Sequence, residues 1–269
     1  MQRRQALHAI CALVFAGAAV PALADPLDAA FDALLARYVV ASSDRVNRVD
    51  YRRWKAASRD VASLDAYIRQ LAARTPSKLP RDEAFAFWCN LYHAITLKVV
   101  LDGYPVASIR DIKSDGLFDP KAYTGPWRTK RITIENRTYS LDDIEHDVLR
   151  PAFKDPRVHY ALNCASYGCP NLRNKAWVAA TLAADLDRAA RDYVNHPRGV
   201  TLLPGNRLRV SSIYKWFAAD FGGTDENKIA HLRRYAAPKL AEALASNPTI
   251  AEDGYDWSLN DAKDTNRSP

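Results

Sequence analysis

The sequence predicts an α+β fold in which helices pack around a small antiparallel sheet. Segments with apolar residues at helical spacing lie near both ends of the chain. Between them, pairs of short segments joined by turn residues predict β-hairpins. The chain lacks the regular alternation of strand and helix that builds a parallel sheet, and this favours the α+β class over α/β.

The first residues have the pattern of an export signal. Arg3 and Arg4 precede an apolar run that is too short to span a bilayer. Ala22-Leu23-Ala24 then supplies small residues suited to cleavage. We therefore expect a signal peptide over residues 1–24, a periplasmic or secreted location, one domain over residues 25–260 and a polar tail over 261–269. No later apolar run is expected to span a membrane.

The charge pattern bears on the kind of partner. The formal net charge of the full chain is +7, and its lysines and arginines are scattered. A nucleic-acid-binding face needs a basic stripe with aromatic platforms, and the sequence has none, so no nucleic-acid partner is expected. The expected partner is an unknown substrate or a component of the cell envelope.

Three helices are predicted before the first hairpin. The first covers Leu27–Val40, and the second begins near Asp60, whose side chain can cap it. The third, Asp82–Leu101, is apolar on almost every side, so we expect it to be buried. Its polar residues Glu83 and Asn90 either hydrogen-bond to neighbouring backbone or line a pocket.

A short helix after the first hairpin carries two titratable side chains. Asp142 or Asp143 caps it, Glu145 and His146 lie on it, and Pro151 ends it. The long loop over 113–130, which contains Trp127, is either a lid or a packed surface loop. The other predicted elements are hairpins over Arg131–Leu141 and Val200–Val210, helices near Leu182–Tyr193, Ser211–Phe217, Glu226–Tyr235 and Pro238–Ala245, and a last strand over Tyr255–Leu259.

The segment Arg157–Leu172 is the part of the chain that most strongly indicates a reactive site. Its first residues alternate in polarity, which predicts a short strand. The strand leads into a loop, and a rigid element that ends in an accessible loop is a common place for functional groups. The loop holds Asn163, Cys164, Ser166, Cys169 and Pro170.

Several blocks of the chain resemble the domain of unknown function 547 family. The blocks are His159–Ser166 with Cys169–Leu172, Phe87–Tyr92, Tyr104–Ile109, Leu141–Pro151 and Tyr255–Asn260. The resemblance runs from about Val49 to Asn260 and implies one domain, but it implies no activity. The chain departs from the family at Cys89, where an aliphatic residue is usual, and at His93, where the family has asparagine.

A thiol nucleophile is the leading hypothesis for the chemistry. A thiolate attacks carbonyl carbon well, and Cys164 lies directly at the end of the predicted strand. His146 and His159 are the candidate bases. His146 is the better candidate, because His159 on the same extended segment would lie too far from Cys164 to touch it.

Other polar residues could support such a nucleophile. Glu145, Asp142, Asn90 or Asn163 could orient an imidazole, and Asn163 or backbone N–H groups could hold an oxyanion. These roles resemble the Cys-His-Asn arrangement of papain-like enzymes, with which the α+β class is compatible. The sequence therefore favours a thiol-dependent hydrolase or acyl transferase.

Two other arrangements remain open for the same residues. A disulfide between Cys164 and Cys169 would fix the loop and remove the nucleophile. The protein would then be a non-catalytic binding or scaffold domain of the cell envelope, with the Trp127 loop as its contact surface. Cys164, Cys169, His146 and His159 could instead bind a metal, but their spacing matches none of the usual zinc patterns, so no metal and no cofactor are predicted.

Overall fold

A computed structural model describes residues 26–113 and 125–264 of the chain. The expected signal peptide and the last residues of the polar tail lie outside these described residues. Within them the structure confirms the α+β class. The α-helices are α1 (Pro26–Tyr38), α2 (Tyr51–Ala56), α3 (Ser58–Ala72), α4 (Arg81–Gly103), α5 (Leu141–Asp143), α6 (Arg150–Phe153), α7 (Val158–Ala161), α8 (Leu182–Val194), α9 (Ile213–Trp216), α10 (Asp225–Arg233) and α11 (Pro238–Ala245).

The strands of the described residues form three small sheets, of two, two and three strands. Both predicted hairpins are confirmed as the antiparallel pairs β3–β4 and β5–β6. The strands are β1 (Val39–Val40), β2 (Arg48–Val49), β3 (Ile132–Ile134), β4 (Arg137–Tyr139), β5 (Val200–Leu203), β6 (Arg207–Ser211) and β7 (Thr249–Gly254).

The third sheet differs from the predicted antiparallel arrangement. β7 lies parallel to β6, because the chain returns to the same edge through α9, α10 and α11. The prediction of a strand over Tyr255–Leu259 is wrong, since the last strand, β7, ends at Gly254. The segment after β7 instead makes an isolated antiparallel bridge between Leu259 and Ser166.

The helix α4 lies at the centre of the larger apolar core. Every residue from 85 to 97 is buried. By length and composition α4 could cross a membrane, contrary to the sequence expectation, but 89% of its apolar window is enclosed by the fold. A second core, formed by α8, the third sheet and the C-terminal helices, packs on the other side of α7. Glu83 is exposed at the start of α4, outside the buried part of that helix.

The segment before Cys164 was predicted as a strand, and this prediction is wrong. The residues form the single-turn helix α7. Asp155 starts the turn, since its carboxylate accepts the Arg157 N–H at 2.9 Å. The alternation of polarity that suggested a strand reflects burial on all sides, because Val158, His159, Tyr160 and Ala161 are all buried.

The helix that carries Glu145 and His146 is also longer than predicted. Ser140 caps it in place of Asp142 or Asp143, through reciprocal hydrogen bonds with Asp143. The helix continues as a π-helical segment over Ile144–Leu149 and then as α6. Pro151 does not end it, and lies in the first turn of α6 directly after the π-helical segment.

Asn90 of α4 holds the chain segment before α8. Its side-chain Nδ2 donates to the Trp177 carbonyl oxygen at 2.9 Å, and its Oδ1 accepts the Trp177 N–H at 2.8 Å. The amide is buried, and it satisfies two buried backbone groups that would otherwise lack partners. Of the two alternatives given for Asn90, its contacts are therefore those of the first, in which the side chain hydrogen-bonds to neighbouring backbone.

We predict that Asn90→Leu lowers the free energy of unfolding by about 3 kcal/mol, because it leaves the N–H and C=O of Trp177 buried and unpaired. Urea denaturation measures this loss. Asn174→Leu, at an exposed position, is the matched control and should change stability by less than about 0.5 kcal/mol. Equal effects of the two substitutions would contradict the packing role.

Candidate active site

An open cavity of about 490 Å³ lies between α4, the π-helical segment, α7 and α9. Four of the predicted site residues line it: Cys164, His146, His159 and Glu145. Asn90, the fifth, does not. The rest of the lining is mainly apolar and aromatic, which is typical of small-molecule sites.

One side of the cavity is a continuous aromatic wall made of Trp127, Trp216, Tyr255 and Trp257. Ring centroids are 5.6 Å apart for Trp127 and Trp257, 4.9 Å for Trp216 and Tyr255, and 4.6 Å for Tyr255 and Trp257. Trp216 is 47% exposed although it contacts two other rings. The described part of the long loop, which begins at Gly125, thus forms part of the cavity wall.

The Cys loop, residues 163–170, presents Cys164 to the cavity through a strained turn. Ala165, directly after Cys164, has a φ of 66°, a left-handed conformation that is costly for a residue with a Cβ. Two hydrogen bonds hold it there. The Ala165 N–H donates to Asn163 Oδ1 at 2.9 Å, and the Ala165 carbonyl accepts the Asn260 N–H at 2.9 Å. Strain of this kind concentrates at functional sites.

The C-terminal segment, residues 255–260, pairs with the Cys loop. The Tyr167 N–H donates to the Ser258 carbonyl at 2.7 Å, and the Gly168 N–H donates to the Asp256 carbonyl at 2.8 Å. Gly168 is required by this close approach, because a Cβ there would lie 2.9 Å from the backbone N and O of Asp256. The pairing places Tyr255 beside the sulfur atoms of the loop.

Two free thiols face each other at the floor of the cavity. The Sγ atoms of Cys164 and Cys169 are 2.9 Å apart, which is longer than the S–S bond of about 2.05 Å. The disulfide considered from the sequence is therefore not formed in the structure. The Tyr255 hydroxyl lies 2.9 Å from Cys169 Sγ and 3.5 Å from Cys164 Sγ, and the Ser166 hydroxyl lies 3.5 Å from Cys164 Sγ.

These contacts give the two thiols different pKa values. The Cys169 thiol, followed by the Ser166 and Tyr255 hydroxyls, lowers the pKa of Cys164 to about 7 against the opposing effect of burial. Burial, followed by the neighbouring Cys164, raises the pKa of Cys169 well above its usual value. The first proton to leave the pair therefore leaves Cys164 as a thiolate that accepts hydrogen bonds.

His159 forms a pair with Asp220, a residue that the sequence analysis did not consider. His159 Nε2 lies 2.7 Å from Asp220 Oδ2 and donates to it, since a carboxylate only accepts. The Phe217 ring stacks on the imidazole at a centroid distance of 4.1 Å. Arg150 holds the carboxylate from the other side, at 2.6 Å and 3.1 Å. The pair lowers the pKa of Asp220, first through His159 and then, despite burial, through Arg150.

His146 has both ring nitrogens engaged. Its Nδ1 accepts from Arg150 Nη1 at 3.0 Å, because an arginine cannot accept, and its Nε2 lies 3.4 Å from Asp142 Oδ1. The hydrogen bond to Asp142 raises the pKa of His146. His146 was the partner of Cys164 preferred from the sequence, but these contacts leave it without a nitrogen directed at the sulfur.

Asn163 and His93 are used to hold the backbone. The Asn163 amide accepts from Ala165 and donates to the Pro170 carbonyl at 2.7 Å. His93 Nε2 accepts the Asn163 N–H at 3.1 Å, and burial lowers the pKa of His93 to about 3, so the ring is neutral. The Asn163 side chain is thus occupied, and the oxyanion role considered for it would need other donors.

The carboxylate and the phenol of two cavity residues remain available to a ligand, in addition to the indole N–H groups of the aromatic wall. Within residues 26–113 and 125–264, the Glu145 carboxylate and the Tyr92 hydroxyl line the cavity without a hydrogen-bond partner. Burial, followed by the nearby Glu145 charge, raises the pKa of Tyr92 well above its usual value. Tyr92 therefore stays protonated and can donate, whereas Glu145 can accept.

No metal centre is formed among the described residues. The structure contains no group of three or more histidine, cysteine, aspartate or glutamate side chains there that could hold an ion. Cys164 and Cys169 contact each other, while His159 and His146 contact carboxylates. These side chains make separate pairs in place of one ligand set.

A family model described as a protein of unknown function, DUF547, matches residues 76–194. Over these residues the chain belongs to the DUF547 family. The matched part of this DUF547 protein includes α4, His146, His159 and the Cys loop, but it ends before Asp220 and Tyr255. Comparisons with curated proteins and with solved structures found no match.

The geometry predicts an unusual pH dependence for the alkylation of Cys164. The reactive thiolate forms as the pH rises through the pKa, so the rate with iodoacetamide should reach half its maximum near pH 7. An ordinary thiol does so near pH ~8.5. Tyr255→Phe removes one donor to the sulfur and should raise this midpoint. Rates measured by mass spectrometry between pH 5 and 9 test both statements, and a midpoint near 8.5 in the unaltered protein would contradict them.

Proposed function

We propose that this DUF547 protein is a thiol-dependent hydrolase or acyl transferase, with Cys164 as nucleophile and His159 as base. The observation that carries the proposal is the position of an acidic thiol at the floor of an aromatic cavity that is also lined by His159, whose imidazole is hydrogen-bonded to Asp220. Export to the periplasm or outside the cell remains part of the proposal, on the basis of the N-terminal sequence.

The His159–Asp220 pair supports the choice of base. Asp220 accepts the proton on Nε2 and so fixes the tautomer, which leaves Nδ1 with a lone pair. A carboxylate that orients an imidazole in this way also stabilises the imidazolium formed during a reaction. His159 and Cys164 line the same cavity but share no hydrogen bond, so His159 is proposed to act on the leaving group or on the attacking water.

The reaction follows from these positions. Cys164 Sγ, as the thiolate, attacks the carbonyl carbon of a bound ester, thioester or amide, and the bond to the leaving group breaks as His159, which enters this step protonated on Nδ1 as well, gives that proton to it. Water or another nucleophile then attacks the acyl-enzyme, His159 takes its proton on Nδ1, the acyl C–S bond breaks, and Cys164 leaves as the thiolate. Tyr92 and Tyr255 are hydroxyl donors at the cavity that can bind the developing oxyanion.

The aromatic wall supports an apolar acyl or aryl group as the part of the substrate that is bound. Trp216 is exposed while packed against other rings, and exposed apolar surface at a cavity is typical of ligand contacts. The same surface supports a second candidate, a non-catalytic envelope-binding domain. For that candidate, binding would depend on Trp216 and be indifferent to Cys164.

Acylation of the protein by p-nitrophenyl esters of increasing chain length tests the proposal. We predict that intact mass and peptide mapping find the acyl group on Cys164, and that Cys164→Ala abolishes both label and turnover. His159→Gln and Asp220→Asn should lower kcat by about 100-fold or more, the usual contribution of general acid–base catalysis.

Cys89→Ala is the control, since Cys89 is fully buried in α4 and should leave turnover unchanged. Thermal unfolding of each variant separates loss of chemistry from loss of fold. Turnover that survives in folded Cys164→Ala, or no acylation by any ester or thioester, would overturn the proposal. Ligand binding lost in Trp216→Ala and kept in Cys164→Ala would then favour the binding domain.

A further inference from the structure

The second thiol of the Cys loop lowers the pKa of Cys164 but is not itself a reacting group in the proposed acyl chemistry. Cys169 is only 2% exposed, yet its sulfur lies 2.9 Å from that of Cys164. Both thiols line the cavity, but Cys164 is only half-buried whereas Cys169 is buried, so a small molecule reaches Cys164 first. An accessible thiol with a second thiol directly behind it is the arrangement in which one sulfur reacts and the other resolves the product.

We propose that Cys164 and Cys169 form a peroxide-reactive dithiol, in which a hydroperoxide oxidises Cys164 and Cys169 then converts the product to a disulfide. This makes Cys164 a modification site and assigns Cys169 as the resolving thiol. The inference rests on the proposed function only in that both use the Cys164 thiolate, and the oxidation switches the acyl chemistry off.

The reaction balances with the hydroperoxide as oxidant. The Cys164 thiolate attacks the terminal oxygen, the S–O bond forms, the O–O bond breaks, and the alcohol leaves with one proton. The Cys169 thiol then attacks the sulfenic sulfur, the S–S bond forms, the S–O bond breaks, and water leaves. In total two thiols and one hydroperoxide give one disulfide, one alcohol and one water, a two-electron oxidation of the protein.

The contacts favour the second step over further oxidation of Cys164. The two sulfurs need to approach by less than about 1 Å to reach bonding distance. Cys169 Sγ accepts the Cys164 N–H at 3.1 Å, which keeps it directed at the neighbouring residue. The Tyr255 hydroxyl lies next to both sulfurs and can donate to the departing oxygen.

Cys89 is an internal control for this chemistry. It lies in α4 with no exposed surface, and burial raises its pKa well above its usual value. It is therefore both inaccessible and protonated, so peroxide should leave it reduced. The Cys164–Cys169 disulfide would make the sulfur at the cavity floor unavailable for acylation. A thiol reductant would restore the free Cys164 thiol.

The experiment treats the reduced full chain with one equivalent of hydrogen peroxide, with and without dimedone, and maps each cysteine by mass spectrometry. The unaltered protein should lose two hydrogens, form the Cys164–Cys169 disulfide, keep Cys89 reduced and recover with dithiothreitol. Cys169→Ala should carry dimedone on Cys164, and excess peroxide should oxidise it irreversibly. Cys164→Ala should leave Cys169 reduced.

Two results would overturn the inference. One is a Cys164 that reacts with peroxide no faster than glutathione, and the other is a Cys164 that passes to sulfinic acid equally fast with and without Cys169. Ester acylation of the reduced protein is measured in parallel. Acylation without disulfide formation rejects the dithiol alone, whereas disulfide formation without acylation rejects the hydrolase or transferase alone.

Discussion

The backbone pairing between the Cys loop and the C-terminal segment is the interaction on which the candidate site depends. Hydrogen bonds from Tyr167 and Gly168 to carbonyls of the segment, and from Asn260 back to Ala165, fix the loop along its length. They hold Ala165 in its left-handed conformation and so direct Cys164 into the cavity. The same pairing brings Tyr255 to the sulfurs and Trp257 to the aromatic wall, so one set of contacts forms both the nucleophile and its pocket.

The acidity of Cys164 arises from hydrogen bonds and not from a neighbouring cation. The Cys169 thiol and two hydroxyls donate to its sulfur, whereas neither histidine of the cavity is hydrogen-bonded to it. Arg150 explains this separation, because it binds His146 on one side and Asp220 on the other. His146 is also paired with Asp142 and His159 with Asp220, and Asp220 leaves only Nδ1 of His159 available for proton transfer.

The sequence predicted the parts of the fold that depend on local patterns. Most helices and both hairpins could be predicted because apolar spacing and turn residues are local signals, and α4 could be placed at the centre because it is apolar on all sides. The segment Val158–Ala161 was assigned wrongly, since a short, fully buried helix and a strand have the same polarity pattern. The parallel pairing of β7 depends on a crossover that no local pattern encodes.

The site was predicted only where its residues are close in sequence or chemically distinctive. Cys164, His146, His159 and Glu145 could be selected from the sequence because reactive residue types stand out, and all four line one cavity, while their catalytic roles stay predictions. Asp220 lies 61 positions from His159 and Tyr255 lies 91 from Cys164, so only the folded chain pairs them. Asn90 was set among the site residues because its buried amide needed a partner, and the backbone of Trp177 provides it.

The most direct test of this account is the pKa of Cys164 in Gly168→Ala. The added Cβ must push the Asp256 backbone away and so move Tyr255 from the sulfurs. The alkylation midpoint of Cys164 should therefore rise from about 7 towards the ~8.5 of a free thiol. Gly103→Ala, where the Cβ meets only the Ile112 side chain, should leave the midpoint unchanged. A midpoint that stays near 7 in folded Gly168→Ala would contradict the claim that the pairing sets the chemistry of the thiol.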